Sequence, residues 1–211
     1  LPRYDGSDVD EPELIRYAQQ GDLDAFNRLI QIYERQVFNL AWRIMGDSDS
    51  AADATQEAFI SAYKAVVRFR GGSFRSWMMR IVTNACYDEL RRRKRRPAGS
   101  LEKLFDEVGV PEPDDPGDLI HKPEDPETAT ERAELSNAIQ DCLNRLPDDF
   151  RVVAVLADVQ GYEYGEVAQV IGKPLGTVKS RLARARARLR ECLQRHRELL
   201  PATYRLEDES P

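Results

Sequence analysis

Gly161-Tyr-Glu-Tyr-Gly-Glu-Val-Ala-Gln-Val-Ile-Gly-Lys-Pro-Leu-Gly-Thr-Val-Lys-Ser-Arg-Leu-Ala-Arg-Ala-Arg-Ala-Arg-Leu189 reads as two helices joined by a short Gly-Lys-Pro turn, the layout of a helix-turn-helix. Val167, Ala168 and Ile171 give the first helix an apolar face, and Leu175, Val178, Leu182, Ala185 and Leu189 recur at three-and-four spacing along the second. The remainder of the second helix is basic. Lys179, Arg181, Arg184, Arg186, Arg188 and Arg190 stand beside the small residues Thr177, Ser180, Ala183 and Ala187. Small residues let a DNA major groove approach closely while guanidinium forks reach phosphates or guanine edges. A merely solvated helix would balance such charge with acidic residues four positions away, and these are nearly absent before Glu191.

At 211 residues, with 41% hydrophobic and 32% charged, the chain has room for one large domain or two small ones. No segment approaches the roughly 18 consecutive apolar residues of a membrane span, and the polar, acidic opening Leu-Pro-Arg-Tyr-Asp-Gly-Ser-Asp is no signal peptide, so a cytoplasmic protein is expected. Cys86, Cys142 and Cys192 are odd in number, far apart and each inside an apolar helical pattern. They read as small core residues, with neither a disulfide framework nor a metal clip indicated. His121 and His196 sit in a linker and near the end of a basic helix, so no metal site, no cofactor site and no Ser/His/Asp grouping is expected.

The formal net charge of −6 is spread in blocks. From Arg68 to Arg96, ten basic residues face only Asp88 and Glu89, and the C-terminal helix repeats the excess. Between these blocks, residues 97–130 are rich in Asp and Glu and carry Pro111, Pro113, Pro116, Pro123 and Pro126, which oppose any long helix. Low in aromatics and high in acid, this stretch cannot bury enough apolar surface to fold alone. Two domains on an acidic tether follow: residues 10–96, a linker over 97–130, and residues 131–200.

The N-terminal domain reads as helical throughout, with no convincing period-two run, which makes the whole fold all-α. A short helix covers Glu13 to Gln19. A long one over Asp22 to Ile44 carries Phe26, Leu29, Ile30, Tyr33, Val37, Leu40 and Ile44 at helical spacing and closes at Gly46-Asp-Ser-Asp49. Ser50 or Asp49 is the expected cap of a third helix through Val67, and Gly71-Gly-Ser73 breaks the chain before a fourth from about Phe74 to Arg93. This last helix and its approach mix Phe69, Phe74, Trp77 and Tyr87 with Arg75, Arg80, Asn84 and Arg91. Aromatics at such spacing are more often core than stacking platforms, but basic interleaving beside a Gly-rich loop favours contact with unstacked bases.

Taken in order, these residues resemble the extracytoplasmic-function sigma factors of bacterial RNA polymerase, over nearly the whole chain. Asp53-Ala-Thr-Gln-Glu-Ala-Phe59 resembles the family's polymerase-clamp motif. Phe69-Arg-Gly-Gly-Ser-Phe-Arg-Ser-Trp77 with Arg80, Asn84, Asp88, Leu90 and Arg91-Arg-Arg93 resembles its melting and minus-ten segment. Leu146-Pro-Asp-Asp-Phe-Arg151, Gly161 and Gly176-Thr-Val-Lys-Ser-Arg-Leu-Ala-Arg-Ala185 follow in the family's order. The chain departs from the pattern at Glu163, where Ser or Thr usually caps the first helix of the helix-turn-helix, and at Gly165 in its first turn. A weak cap with a Gly predicts fraying there, at a cost of about 1–2 kcal/mol.

The resemblance implies a non-catalytic protein that binds core RNA polymerase and directs initiation at chosen promoters, with no small-molecule substrate. Asp53, Gln56 and Glu57 would meet the polymerase clamp. Phe69, Arg70, Phe74, Arg75, Trp77, Arg80, Asn84, Arg91 and Arg92 would hold and help open minus-ten DNA. Thr177, Lys179, Ser180, Arg181 and Arg184 would read the minus-thirty-five element, with Arg186 and Arg188 on phosphates. It also implies an acidic linker threading the polymerase's RNA channel and an anti-sigma partner, often membrane-anchored. A free-standing helix-turn-helix regulator would normally be a symmetric dimer, and neither a heptad seam nor a ligand-pocket domain is legible. A recombinase or nuclease would need a nucleophile or carboxylate cluster that the helical pattern does not offer.

Overall fold

The computed structural model describes residues 10–95 and 126–200, which fall in two compact units. No strand occurs among the described residues. Residues 96–125, which hold most of the expected acidic linker and His121, lie outside the described residues, as does the expected path of that linker.

The first unit is a four-helix assembly: α1 (Glu11–Gln19), α2 (Leu23–Met45), α3 (Ser48–Ala65) and α4 (Phe74–Arg95), with a single 3₁₀ turn, Val66–Arg68, after α3. Helix α2 is the spine, packed against each of the other three. Its inward residues Phe26, Leu29, Val37, Leu40 and Ile44 are fully buried, as are Phe74, Met78, Met79 and Val82 of α4. Helix α3 presents Ala51, Ala54, Ala58 and Ala62 inward, and these short side chains let its backbone lie close to α2. Between α2 and α3 the chain turns on Gly46, whose φ of 83° places it in the left-handed region that Gly tolerates at no steric cost.

The cap of α3 differs from the expectation of Ser50 or Asp49. Asp47 is the cap, its Oδ1 accepting from Ser50 N at 2.8 Å. With Gly46 ending α2, Asp47 is the first residue in extended conformation, and its side chain therefore reaches the orphan amides of the new helix.

The second unit contains α5 (Pro126–Asn144), α6 (Asp148–Ala154), α7 (Tyr164–Ile171) and α8 (Leu175–Leu193), with a π turn, Val155–Val159, continuing α6. Helix α5 begins five residues ahead of the boundary expected from the prolines. Pro126 opens it, because a first-turn residue has no amide bond to lose. The core gathers Leu143, Val152, Val153, Leu156, Val167, Val178, Leu182 and Ala185. Leu175, expected on the apolar face of α8, is 43% exposed, since it stands in the first turn ahead of the packed segment.

Two further expectations are corrected. Cys142 on α5 and Cys192 at the end of α8 form a disulfide, with Cα atoms 5.7 Å apart, so only Cys86 remains a plain buried core cysteine. The cysteines lie 50 residues apart in sequence, and the fold brings α5 against α8. The start of α7 is also better held than Glu163 and Gly165 suggested. Glu166, three residues on, turns back so that its Oε2 accepts from Glu163 N at 3.0 Å.

Candidate nucleic-acid interface

Helix α7 closes at Gly172, in the left-handed region with φ of 62°, and Lys173 N bonds back to Ala168 O at 3.1 Å. Pro174 then starts α8, its carbonyl accepting from Thr177 N and Val178 N. With about 100° per residue, Val178, Leu182 and Ala185 define the buried side of α8. Gly176, Ser180, Ala183 and Ala187 lie opposite and are exposed, a narrow surface of small side chains. Arg184 and Arg188 flank it on one edge and Lys179 and Arg190 on the other, all exposed. Such a ridge fits a groove, with cations at its rims.

The six expected cations on α8 do not behave alike. Arg181 sits at the core edge, and its Nη2 donates to Asp149 Oδ2 at 2.8 Å. Arg186, at the other edge, donates through Nε and Nη2 to Asp158 at 3.1 and 2.6 Å and to the Tyr164 hydroxyl at 3.2 Å. These bonds, those to Asp158 first, push its already high pKa further up. Arg188 lies over the Phe150 ring at 5.3 Å. Lys179 and Arg184 pair with no described side chain and stand free in solvent, while Ser180 Oγ donates to Thr177 O at 3.0 Å. Arg181 and Arg186 are thus first of all ties that fix α8 onto α6 and the π turn. The acidic partners, 32 and 28 residues away in sequence, escaped the sequence reading because no local spacing points to them.

In the first unit, Phe69 and Trp77 are half-exposed and 5.4 Å apart. Phe74, expected among the DNA-contacting side chains, is only 1% exposed. Its ring lies beneath both, 5.5 Å from Phe69 and 5.1 Å from Trp77, with Tyr33 at 5.6 Å behind it. As the first residue of α4 it falls on the inward phase, and it serves as a floor for the other two. The Tyr33 hydroxyl donates to Glu11, and burial, reinforced by that carboxylate, raises its pKa.

Arg70, Gly71, Gly72 and Ser73 form an exposed loop beside this aromatic pair. Both glycines have φ near +90°, a conformation that side chains resist, and a Cβ on either would meet nothing within 4 Å. Arg75 Nε donates to Gln36 Oε1 at 2.8 Å and is tied to α2. Trp77, Arg80, Asn84 and Arg91 share the outer stripe of α4. Arg91 sits 3.6 Å from Asp88 and 5.7 Å from the Tyr87 ring, while Arg92 pairs with Glu89, all at a solvent-exposed guanidinium.

Asp53, Gln56 and Glu57 are exposed on α3, one helical turn apart. With Ile60, Asn84 and Arg92 they line an open groove of about 860 Å³ between α3 and α4. Asn84 and Arg92, expected on the DNA side, therefore also border the carboxylates expected to face polymerase.

Comparison with known proteins gives this geometry its family. The Sigma-70 region 2 model matches residues 29–96, and the model of Sigma-70 region 4 matches residues 136–189. The RNA polymerase sigma-H factor of Pseudomonas aeruginosa is 36% identical over 186 residues, 87% of this chain and 94% of that protein. This chain is an extracytoplasmic-function sigma factor. Its role is that of an alternative sigma factor directing promoter-specific transcription.

The ECF RNA polymerase sigma factor SigM of Mycobacterium tuberculosis is 38% identical over 192 residues, covering 90% of this sigma factor and 87% of SigM. SigE of Mycolicibacterium smegmatis is 33% identical over 177 residues, where the match spans 84% of this chain and 65% of that longer protein. Among solved structures, the sigma factor RpoE of Bartonella quintana, crystallised with the anti-sigma factor NepR, superposes with a TM-score of 0.59 at 26% identity, over 81% of this chain and 98% of RpoE. CnrH, solved with the cytosolic domain of CnrY, shares the fold with a TM-score of 0.57 at 24% identity, over 87% of this chain and 96% of CnrH. Among the described residues no group of three His, Cys, Asp or Glu is placed to hold a metal ion, and no helix is long and apolar enough to cross a membrane.

Proposed function

We propose that three exposed surfaces divide the work of this sigma factor. Asp53, Gln56 and Glu57 on α3 dock on a basic helical surface of core RNA polymerase. Phe69, Arg70 and Trp77 receive an unstacked minus-ten base while Arg80, Asn84 and Arg91 follow the strand, with Arg75 and Arg92 adding charge at its margins. Ser180, Lys179, Arg184 and Thr177 on α8 meet base edges in the major groove of the minus-thirty-five element, and Arg188 meets phosphate. All of this is binding, and no side chain carries a catalytic step. Opening a duplex costs a few kcal/mol per unstacked base, and stacking against an aromatic returns about 1–3 kcal/mol of it.

The observation that carries this reading is the outer face of α8, where a ridge of small residues runs between free cations directly opposite the buried side. A helix that merely covered its core would not need guanidinium groups on both rims of a flat surface. The pairing of Phe69 with Trp77 beside a two-glycine loop supports the minus-ten assignment in the same way. Cytoplasmic action follows from the polymerase. An anti-sigma partner, membrane-anchored in one common arrangement, is the expected regulator, and the RpoE complex with NepR supports it.

Run-off transcription with core enzyme tests the whole. Parent protein should give initiation at promoters selected from a random library, with protected DNA upstream at both elements. A protein that binds the same DNA as tightly without polymerase, and gives no run-off product with it, would instead be a free-standing regulator.

A further inference from the structure

Helix α1 ends ahead of the segment matched by the region 2 model, yet it reaches into the loop that this segment carries. Its last residue, Gln19, donates through Nε2 to Phe69 O at 2.7 Å and to Val66 O at 3.3 Å, across 50 and 47 residues of sequence. Val66 O opens the 3₁₀ turn, where it also accepts from Phe69 N at 3.0 Å, and Phe69 O stands where that turn gives way to extended chain, Phe69 having φ of −66° and ψ of 120°. At the other end of the loop, Ser73 caps α4 locally, its Oγ accepting from Ser76 N at 3.1 Å. The loop is therefore fixed at its far end by its own sequence and at its near end by α1.

We propose that Gln19 is the positioning residue of the base-receiving loop. Its amide sets the orientation of the peptide between Phe69 and Arg70, and so the place of the Phe69 ring beside Trp77 and the direction in which Gly71 and Gly72 leave. The inference rests on the reading of this loop given under Proposed function. Phe69 is half-exposed, so its carbonyl would be hydrated if Gln19 were lost, while the buried Val66 O keeps its bond from Phe69 N at 3.0 Å, so the helices would stay folded. The loop would instead have to be ordered when DNA binds, and that ordering weakens binding.

The test is binding of a fluorescein-labelled single-stranded minus-ten oligonucleotide, taken from a promoter the holoenzyme transcribes, to holoenzyme assembled with each variant. Gln19→Met, similar in size without a donor, should bind about tenfold more weakly. Gln19→Glu, which offers only acceptors to two carbonyls, should fall at least as far, and Gln19→Lys, which restores a donor, should recover most of the loss. Affinity for core enzyme and helical circular dichroism should match the parent in all three.

Several results overturn the proposal. If Gln19→Met binds as the parent does while Phe69→Ala is impaired, the loop needs no anchor. Equal losses in the Met, Glu and Lys variants would show a packing role, as would loss of core binding. If Phe69→Ala and Trp77→Ala both leave oligonucleotide binding intact, the reading of the loop itself falls, and Gln19 has nothing to position.

Discussion

Asp158 Oδ1 accepts from Arg186 Nη2 at 2.6 Å while its Oδ2 accepts from Arg186 Nε at 3.1 Å, a two-pronged tie between the recognition helix and the π turn. The π turn makes it: one extra residue per turn, with Gln160 N bonding to Val155 O at 2.9 Å, carries Asp158 round to face α8. A cation counted as a DNA ligand from sequence is thus committed in the free protein. The Arg186 side chain is 51% exposed, so screening holds the tie to about 0.5–1 kcal/mol. Asp158→Asn should lower the thermal midpoint of the second unit slightly while tightening binding to random duplex at low salt by roughly twofold, as Arg186 is released to phosphates. Calorimetry and anisotropy at two salt concentrations check both halves, and unchanged random-DNA binding would mean that Arg186 already leaves Asp158 when DNA arrives.

Arg184 and Arg188 share one edge of the α8 ridge but differ in company, since Arg184 is free and Arg188 lies over Phe150. Arg184→Ala should weaken the minus-thirty-five element by about 1–3 kcal/mol and relax base choice there. Arg188→Ala should weaken all sequences alike. Equal losses on specific and random DNA for Arg184→Ala would remove it from the base readers.

Asp53 and Glu57 stand exposed on α3, four residues apart, and neither contributes to the core. Reversing both to Lys should abolish capture of core polymerase while leaving the helical circular dichroism of the first unit unchanged. Like charges would then face the basic partner surface. Retained capture would reduce this stretch to an ordinary solvated helix face.

Burial pushes the Cys86 thiol from its ordinary 9.0 up to about 12. The folded state therefore keeps a proton that the unfolded chain gives up. The stability this contributes is complete below pH 9, declines as pH rises, and is gone beyond pH 12. At pH 8 the thiol should resist alkylation until the first unit unfolds, so its labelling rate should track global opening. Rapid labelling under native conditions would show local opening of α4 instead.

Much of this architecture was legible because helix period and turn chemistry are local. The inward phase of α2, the Gly-Lys-Pro turn and the basic side of α8 follow from spacing alone. What was not legible depends on choice or on distance. Gly46-Asp-Ser-Asp-Ser50 offers several capping side chains, and only the backbone path picks Asp47. Pro126 reads as a breaker in a linker and as a first-turn residue once a helix follows it. Phe74 carries the same aromatic chemistry as Phe69 and Trp77, but its phase at the start of α4 turns it inward. Arg181 and Arg186 look like their free neighbours because their partners lie in another helix.

The disulfide between Cys142 and Cys192 is the contact that sequence reasoning excluded, and it closes a loop of 50 residues around the whole helix-turn-helix. Closing a loop of that length restricts the unfolded chain by about 4 kcal/mol in the chain-entropy account. Reduction, or Cys142→Ser, should therefore lower the midpoint of the second unit's unfolding while leaving that of the first unit in place. Cys192 follows Arg184 by eight residues, about 12 Å along α8, so DNA affinity of the reduced but folded unit should stay within about twofold of the oxidised one. In a compartment that keeps thiols reduced, the unit would work near the weaker of its two stabilities. Thermal unfolding with and without reductant, read by tryptophan-independent circular dichroism and paired with thiol counting, decides the matter. Should reduction be complete by thiol count and move neither transition, the cross-link restrains nothing that packing of α5 on α8 does not already hold.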